Sequence, residues 1–179
     1  MRAATLVASL LLALPLQAFA AGSDDSEPPK PTETTTKCVE GQIYDDKTKA
    51  CVVPEKTGLN DDLRFQAARE LAYAGQPDAA LRVLAAMTEG DTDRVLTYKG
   101  FAHRTAGRLE QGLEFYAQAL TLNPDNILAR SYLGQAYVGM AETALAAEQL
   151  AEIRARGGVG TWAEASLAKA LQTGQTYSY

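Results

Sequence analysis

The sequence predicts an all-α fold built from a repeated helical hairpin. Small and bulky residues alternate at helical spacing over most of the chain, which indicates helices that bury one face. The same pattern then recurs at a fixed distance, since Gly100 and Glu114 are followed 34 positions later by Gly134 and Glu148. An offset of 32 positions adds an earlier copy, because it maps Ala68 onto Gly100. A period of this length is typical of arrays in which one helix-turn-helix unit is stacked on the next.

Each predicted hairpin leaves one apolar face uncovered, and stacking three hairpins buries those faces in a continuous core. Gly100 and Gly134 supply the small residues that let neighbouring helices approach closely. The alternative is an Ala-rich helical bundle without repeats, but a bundle does not require a fixed sequence period.

Residues 1–20 have the features of a cleavable secretory signal peptide. A single basic residue, Arg2, precedes an apolar stretch that ends at Ala18-Phe19-Ala20, a small-x-small cleavage signature. We therefore predict cleavage after Ala20 and a mature protein in the periplasm or outside the cell. A membrane anchor is the alternative, but the unbroken apolar core is shorter than the roughly 20 residues needed to span a bilayer. Stable membrane insertion after cleavage is not expected.

Residues 21–36 predict a disordered linker. The segment is acidic and contains Pro28, Pro29 and Pro31, with no aliphatic side chain larger than alanine. Such a composition buries too little apolar surface to offset the entropy that is lost on ordering. The prolines are expected to keep the linker semi-extended.

Residues 37–54 predict a small hairpin closed by a disulfide bond. Strands are expected at residues 42–44 and 50–53, with the chain turning between them. Cys38 and Cys51 are the only cysteines, and in an exported chain they most simply pair with each other. Closing a loop of this size would stabilise the hairpin by about 3 kcal/mol. Metal binding is not expected, because two cysteines without a neighbouring histidine make an incomplete ligand set.

From Asn60 onward the pattern is helical. Asn60 is a predicted N-cap, and the acidic residues after it suit the positive end of the helix dipole. Thr161 and Glu164 form a predicted capping box for the last helix, and Gly174 ends it. The seven predicted helices are bounded at about residues 60–75, 77–88, 92–106, 108–121, 126–139, 142–156 and 161–173.

These helices group into three repeats and a cap within one helical domain, residues 60–174. The repeats span about residues 61–92, 93–126 and 127–160, and the last helix, 161–173, keeps the same register. The side of this helix that we expect to face solvent carries Ser166, Lys169 and Gln172. A terminal helix needs such a polar side if no further repeat covers it, so we expect it to cap the stack.

Residues 60–174 resemble the tetratricopeptide repeat. The middle copy carries the pattern best, with its small residues, bulky residue and closing proline at Gly100, Gly107, Gly112, Tyr116, Ala119 and Pro124. The first and third copies lack the closing proline. The resemblance implies a right-handed superhelical stack in which the first helix of each pair lines a concave surface. Proteins of this family commonly bind peptides or protein segments there, which implies an adaptor or scaffold.

The resemblance places a binding groove on the first helices. Nine residues fall on this face at helical spacing: Phe65, Arg69, Tyr73, Arg94, Thr97, Phe101, Arg104, Ser131 and Gln135. Exposed aromatic residues beside arginine are typical anchors, so we expect the groove to be aromatic and cationic at one end. Two alternatives stay open: the arginines are solvated surface residues, and Phe65 and Phe101 are core residues. Chaperone-binding members of the family grip a carboxylate with lysines and asparagines, a set that this face lacks.

A shorter resemblance concerns the cysteine hairpin. The spacing of Cys38, Gly41, Tyr44, Thr48 and Cys51 is similar to one hairpin of cysteine-rich chitin-binding modules. It implies glycan contact through Tyr44, although the further cysteines of those modules are missing. The alternative function is therefore a cell-wall or polysaccharide-binding protein in which the repeats are a spacer. A structural or partner-docking hairpin is the other interpretation.

The sequence contains no recognisable catalytic or cofactor-binding motif. The only histidine, His103, occupies a slot filled by Leu71 and Tyr137 in the other copies, which is a packing position. The glycine-rich run 157–160 lacks the lysine and hydroxyl residue of a phosphate-binding loop. The net charge of −5, lowered by one when Arg2 is removed, disfavours nucleic acid as a partner. We therefore expect a non-enzymatic adaptor in the periplasm, with another envelope protein as its partner and no cofactor or metal.

Overall fold

The computed structural model describes residues 27–176. The predicted signal peptide, its cleavage after Ala20 and the first part of the predicted linker lie outside the described residues. In the described part the elements are α1 (Glu33–Thr36), β1 (Ile43–Asp45), β2 (Ala50–Val52), α2 (Asp61–Tyr73), α3 (Pro77–Ala85), α4 (Asp93–Thr105), α5 (Leu109–Leu122), α6 (Ile127–Gly139), α7 (Thr143–Ala155) and α8 (Trp162–Thr173). The fold is mostly helical, with one small two-stranded hairpin. None of these helices has both the length and the apolar character that crossing a bilayer requires.

The helices α2 to α8 begin and end within a few residues of the predicted boundaries. Asn60 caps α2, its side-chain oxygen accepting the backbone N–H of Leu63 at 2.8 Å. Thr161 caps α8 in the same way, and Glu164 reaches back to the backbone N–H of Gly160 at 2.8 Å. Local capping chemistry therefore determines where these helices start.

Consecutive helices pair into hairpins, α2 with α3, α4 with α5 and α6 with α7. Neighbouring hairpins contact each other, and α8 packs on α6 and α7, which gives a repeat-like helical fold. Two glycines permit close contacts in it. A β-carbon at Gly100 would lie 2.5 Å from the ring of Tyr116, and one at Gly134 would lie 2.5 Å from the side chain of Leu167. The two contacts confirm the prediction that glycine at these positions lets helices approach closely.

The predicted hairpin is present, and its disulfide bond joins Cys38 to Cys51. It is packed on the helices rather than set apart from them. Ile43 is fully buried in the same cluster as core residues of α2 and α3. Arg64 of α2, also buried, donates from Nε to the carbonyl of Pro54 at 2.8 Å. Because alternate residues of a strand point to opposite faces, one face of the hairpin can join the helical core.

The predicted disorder of the linker is wrong for residues 27–36, which we call the N-terminal strap. Thr32 caps the short helix α1, and the hydroxyl of Thr34 accepts the backbone N–H of Tyr44 at 3.2 Å. Other strap residues donate hydrogen bonds to Glu70 of α2. Composition indicates how much apolar surface a segment can bury, and it therefore misses polar contacts to a distant carboxylate.

The last helix packs against the third hairpin, but the prediction for one residue of its polar side is wrong. Ser166 is buried, and its hydroxyl lies 3.0 Å from the hydroxyl of Ser131 on α6. Lys169 and Gln172 lie on the surface. Ser166 faces inward because α8 contacts both α6 and α7, so a wider stripe of the helix is covered than one neighbour would cover.

Candidate functional site

Most of the nine predicted groove residues are buried. The buried ones are Phe65, Arg69, Tyr73, Thr97, Phe101, Ser131 and Gln135. Arg94 and Arg104 are half-buried. The prediction that Phe65 and Phe101 are exposed anchors is therefore wrong, and both rings belong to the core.

An aromatic cluster explains this burial. Tyr73 of α2 stacks on Phe101 of α4 with 5.0 Å between ring centroids, and Phe101 lies 4.7 Å from Tyr132 of α6. The hydroxyls of Tyr73 and Tyr132 lie 2.5 Å apart, which joins α2 to α6. Trp162 of α8 lies 6.5 Å from Tyr73 and 6.2 Å from Tyr132. The inner rings of the first helices thus pack on one another instead of lining an open groove, and burial raises the pKa of Tyr132 well above its ordinary value.

The N-terminal strap covers one end of this face. The buried carboxylate of Glu70 accepts the backbone N–H and the hydroxyl of Thr32, at 2.7 and 2.6 Å, and the same two groups of Thr35. Beside it, Arg69 donates to the carbonyl oxygen of Glu27 at 2.6 Å. The C-terminal half of the α2 face is therefore covered by the chain itself.

The other end of the face carries an open cavity of about 280 Å³, which we call the α4–α6 cavity. Its walls come from α2, α4, α6 and the loop before α6. The lining residues are Phe65, Arg94, Thr97, Tyr98, Asn123, Asp125, Asn126, Ile127 and Leu128. Phe65, Arg94 and Thr97 are predicted groove residues, so part of the predicted face lines a cavity.

The neutral polar side chains of the cavity bond to their neighbours. Asn123 and Asn126 each donate a side-chain N–H to a carboxylate oxygen of Asp93, at 2.7 and 3.0 Å. Asn126 also caps α6 by accepting the backbone N–H of Ala129 at 2.8 Å. The hydroxyl of Thr97 donates to the backbone carbonyl of Asp93 at 2.7 Å. This network holds the loop before α6 against α4.

Arg94 places a cation at the cavity. Its guanidinium lies 2.6 Å from a carboxylate oxygen of Glu89, 3.0 Å from one of Asp62 and 4.7 Å from the ring centroid of Phe65. The hydrogen bond from Arg94 lowers the pKa of Glu89. The hydrogen bonds to Glu89 and Asp62 raise the pKa of Arg94 above its ordinary value. Arg94 is therefore charged, and two carboxylates already neutralise it.

Arg104 lies at the opposite end of α4. Its guanidinium lies 5.4 Å from the ring centroid of Phe101, and its Nε donates to the hydroxyl of Tyr116 at 3.4 Å. Burial raises the pKa of Tyr116 to about 12, although Arg104 acts against the increase. Within residues 27–176, the Nη2 atom of Arg104 is buried without a hydrogen-bond partner. Arg104 thus packs on the aromatic cluster and does not line the cavity.

His103 and Tyr44, for which the sequence left other roles open, make packing contacts. The ring of His103 stacks on Phe115 at 5.2 Å, and its Nδ1 accepts the Nε hydrogen of Arg108 at 2.9 Å. Burial, and then the charge of Arg108, lower the pKa of His103. Tyr44 is half-buried, and the ammonium of Lys37 lies 5.6 Å from its ring centroid.

In the part of the chain that the structure describes, no group of three or more His, Cys, Asp or Glu residues is placed to hold a metal ion.

The sequence analysis used Pro124 as the closing proline of a repeat but placed no binding residue in the loop that closes the cavity. Asn123, Asp125 and Asn126 belong to an Asn-Pro-Asp-Asn run, a turn signal that could have located it. Tyr98 was also missed, because its position on α4 lies beside the stripe that we assigned to the groove.

This chain matches no model of a protein family, no curated protein and no solved structure.

Proposed function

We propose that this protein is a non-enzymatic adaptor, exported to the periplasm, that binds a segment of another envelope protein in the α4–α6 cavity. In this proposal the hairpins form the right-handed superhelix of tetratricopeptide repeats, and the first helices α2, α4 and α6 carry the binding surface. The sequence period of 34 residues and the pairing of consecutive helices support the repeat assignment.

The cavity is the observation that carries the proposal. Phe65, Tyr98 and Leu128 bring side chains from three successive first helices to one opening. A concave site with apolar walls and a few fixed polar groups is where proteins usually hold a ligand. The aromatic cluster and the strap occupy much of the rest of this face. A pocket of about 200 Å³ lies beside Tyr73, between the strap and α2, and the α4–α6 cavity is the larger of these two openings.

The packing of the cysteine hairpin supports a structural role for it. Ile43 anchors the hairpin in the helical core, and Tyr44 shares its ring face with Lys37. A glycan-binding hairpin would instead present an open aromatic face to the sugar. These contacts favour the adaptor over the polysaccharide-binding alternative.

Site-specific photo-crosslinking in the exporting cell tests this function. A photoreactive phenylalanine analogue replaces Leu128 in the cavity and, as a matched control, Glu114 on the exposed side of α5. We expect position 128 to capture a discrete protein partner and position 114 to capture none. Capture from position 114 alone would place recognition on the outer face, and equal capture from both would show contacts without specificity. Either result contradicts the proposal.

A further inference from the structure

The α4–α6 cavity has the size of a side-chain pocket. Its volume of about 280 Å³ lies just below the range of typical ligand sites, which enclose roughly 300–1,000 Å³. An occupant therefore inserts one large side chain or two small ones, while the rest of its chain lies outside. This suits an anchor residue on a partner segment better than a compact cofactor.

The walls favour an apolar anchor. Phe65, Tyr98, Ile127 and Leu128 present rings and aliphatic groups to the cavity. The amide groups of the lining asparagines are already bonded to Asp93, so they have little left to offer an incoming polar group. A polar side chain would lose its water there without gaining an equivalent partner.

The charges around the cavity favour a basic flank. Five carboxylates, of Asp62, Glu89, Asp93, Asp125 and Glu152, stand against three guanidinium groups, of Arg94, Arg130 and Arg156. Two of these carboxylates reach furthest into solvent, since the side chains of Asp62 and Asp125 are 77% and 82% exposed. The excess charge at the rim is negative, and a partner with positive charge beside its anchor complements it.

We infer that the occupant is an apolar side chain, of leucine or phenylalanine size, carried by a basic segment of the partner protein. This inference rests on the proposed function and adds the chemistry of the partner to it. The anchor fills the space between Phe65 and Leu128. Lysine or arginine residues on either side of the anchor approach the exposed sides of Asp62 and Asp125, whose other ion pairs are with Arg94 and Arg156. The negative rim steers the segment to the cavity.

Three synthetic peptides test the two parts of this inference. Each has nine residues and a central anchor: leucine flanked by lysines, serine flanked by lysines, and leucine flanked by glutamates. Fluorescence anisotropy measures their affinity for the full mature chain, and methyl NMR spectra report shifts at Ile127 and Leu128. We expect the lysine-flanked leucine peptide to bind at least about tenfold more tightly than the serine peptide, the usual effect of one buried aliphatic side chain. It should also bind several-fold more tightly than the glutamate-flanked leucine peptide, because like charges repel at the rim.

Charge-neutral variants test the rim. Asp62→Asn combined with Asp125→Asn should weaken binding of the lysine-flanked leucine peptide several-fold and reduce the salt dependence of that binding. Glu110→Gln combined with Glu114→Gln is the matched control. Both of these residues lie exposed on α5, away from the cavity, and removing their charges should change little.

The outcomes separate this inference from the proposed function. If the glutamate-flanked leucine peptide binds equally well and shifts the same methyl signals, the basic flank is wrong while the cavity remains a binding site. If no peptide shifts these signals although position 128 captures a partner in the cell, the side-chain anchor is wrong. If position 128 captures nothing either, the proposed function itself has failed.

Discussion

Glu70 and Thr32 are joined by two hydrogen bonds although they lie 38 positions apart in the chain. The carboxylate accepts the backbone N–H of Thr32 at 2.7 Å and its hydroxyl at 2.6 Å, and Thr35 donates two further hydrogen bonds. Glu70 is only 5% exposed, and a carboxylate so buried is costly unless it is paired or hydrogen-bonded. The strap therefore supplies the hydrogen bonds that the buried carboxylate of α2 needs, and the same bonds hold the strap against α2.

Thr32→Val combined with Thr35→Val should lower the free energy of unfolding by about 1–3 kcal/mol. Valine keeps the shape but leaves the buried Glu70 without two hydroxyl donors and α1 without its N-cap at Thr32. Urea unfolding measures the loss, and cleavage after Glu33 by a glutamyl endopeptidase measures release of the strap. Thr36→Val is the control, since that hydroxyl donates to the carbonyl of Thr32 within α1. Equal effects of the double variant and the control would show that Glu70 does not hold the strap.

Ile43→Ala should destabilise the whole helical domain by about 2–5 kcal/mol, as is usual for a large side chain removed from a core. The hairpin residue is fully buried among residues of α2 and α3, and its truncation leaves a cavity there. Val39→Ala, at a hairpin position that is 68% exposed, should change the stability by less than about 0.5 kcal/mol. Urea unfolding followed by helical circular dichroism reports both. A helical domain insensitive to Ile43→Ala would mean that the hairpin is an independent module.

Gly100→Ala should destabilise the fold by about 1–3 kcal/mol despite the better helix propensity of alanine. The new β-carbon would lie 2.5 Å from the fully buried ring of Tyr116, so the ring and the residues packed around it would have to shift. Gly139→Ala is the matched control, because among residues 27–176 only Thr176 lies near that site, at 4.0 Å. Thermal unfolding should show a lower midpoint for Gly100→Ala and an unchanged or higher midpoint for Gly139→Ala. The same change in both variants would contradict the close contact.

Asp61→Asn should make the fold less stable near neutral pH and should matter less in acid. Burial acts against ionisation, but hydrogen bonds from Thr88, Glu89 and Arg64 hold the pKa of Asp61 below its ordinary value. A carboxyl with a lowered pKa stabilises the folded state above the unfolded-state pKa, and this contribution disappears as the pH falls through the folded-state pKa. The stability difference between wild type and variant should therefore shrink below about pH 4.

Urea unfolding at a series of pH values measures this dependence. Asp46→Asn is the control, since that side chain is 79% exposed in the hairpin turn and should affect stability little at any pH. A loss from Asp61→Asn that is the same at all pH values would show that the hydrogen bonds of Asp61 do not depend on its charge.

Local signals in the sequence were sufficient for helices α2 to α8 and for the hairpin, but not for α1. Asn60 and Thr161 begin α2 and α8 as predicted, and the paired cysteines close the hairpin. Capping and turn chemistry act over a few residues, so a short stretch of sequence contains what they need. The position of Gly100 in the repeat likewise predicted a close helix contact.

The burial of the predicted groove could not be read from the same signals. Helical spacing assigns Phe101 to a face but does not say what covers that face. Here Tyr73 and Tyr132 cover it. Trp162, which lies more than 60 positions after Phe101 in the chain, packs on both tyrosines. The strap depends on Glu70 in a similar long-range way. Such contacts follow from how the helices assemble, whereas the periodicity describes each helix alone.

The two close glycine contacts differ in a way that bears on how the chain can grow by gene duplication. Gly100 meets Tyr116 within one hairpin, so a duplicated copy of that hairpin would carry both partners. Gly134 meets Leu167 of α8, which lies outside the third hairpin, so a duplicated copy of that hairpin would bring no partner for this contact. A third hairpin inserted before α8 would leave Leu167 over the glycine of the inserted copy and turn the original Gly134 towards the first helix of that copy. An evolving gene could therefore lengthen this array only where the new helix pair fits.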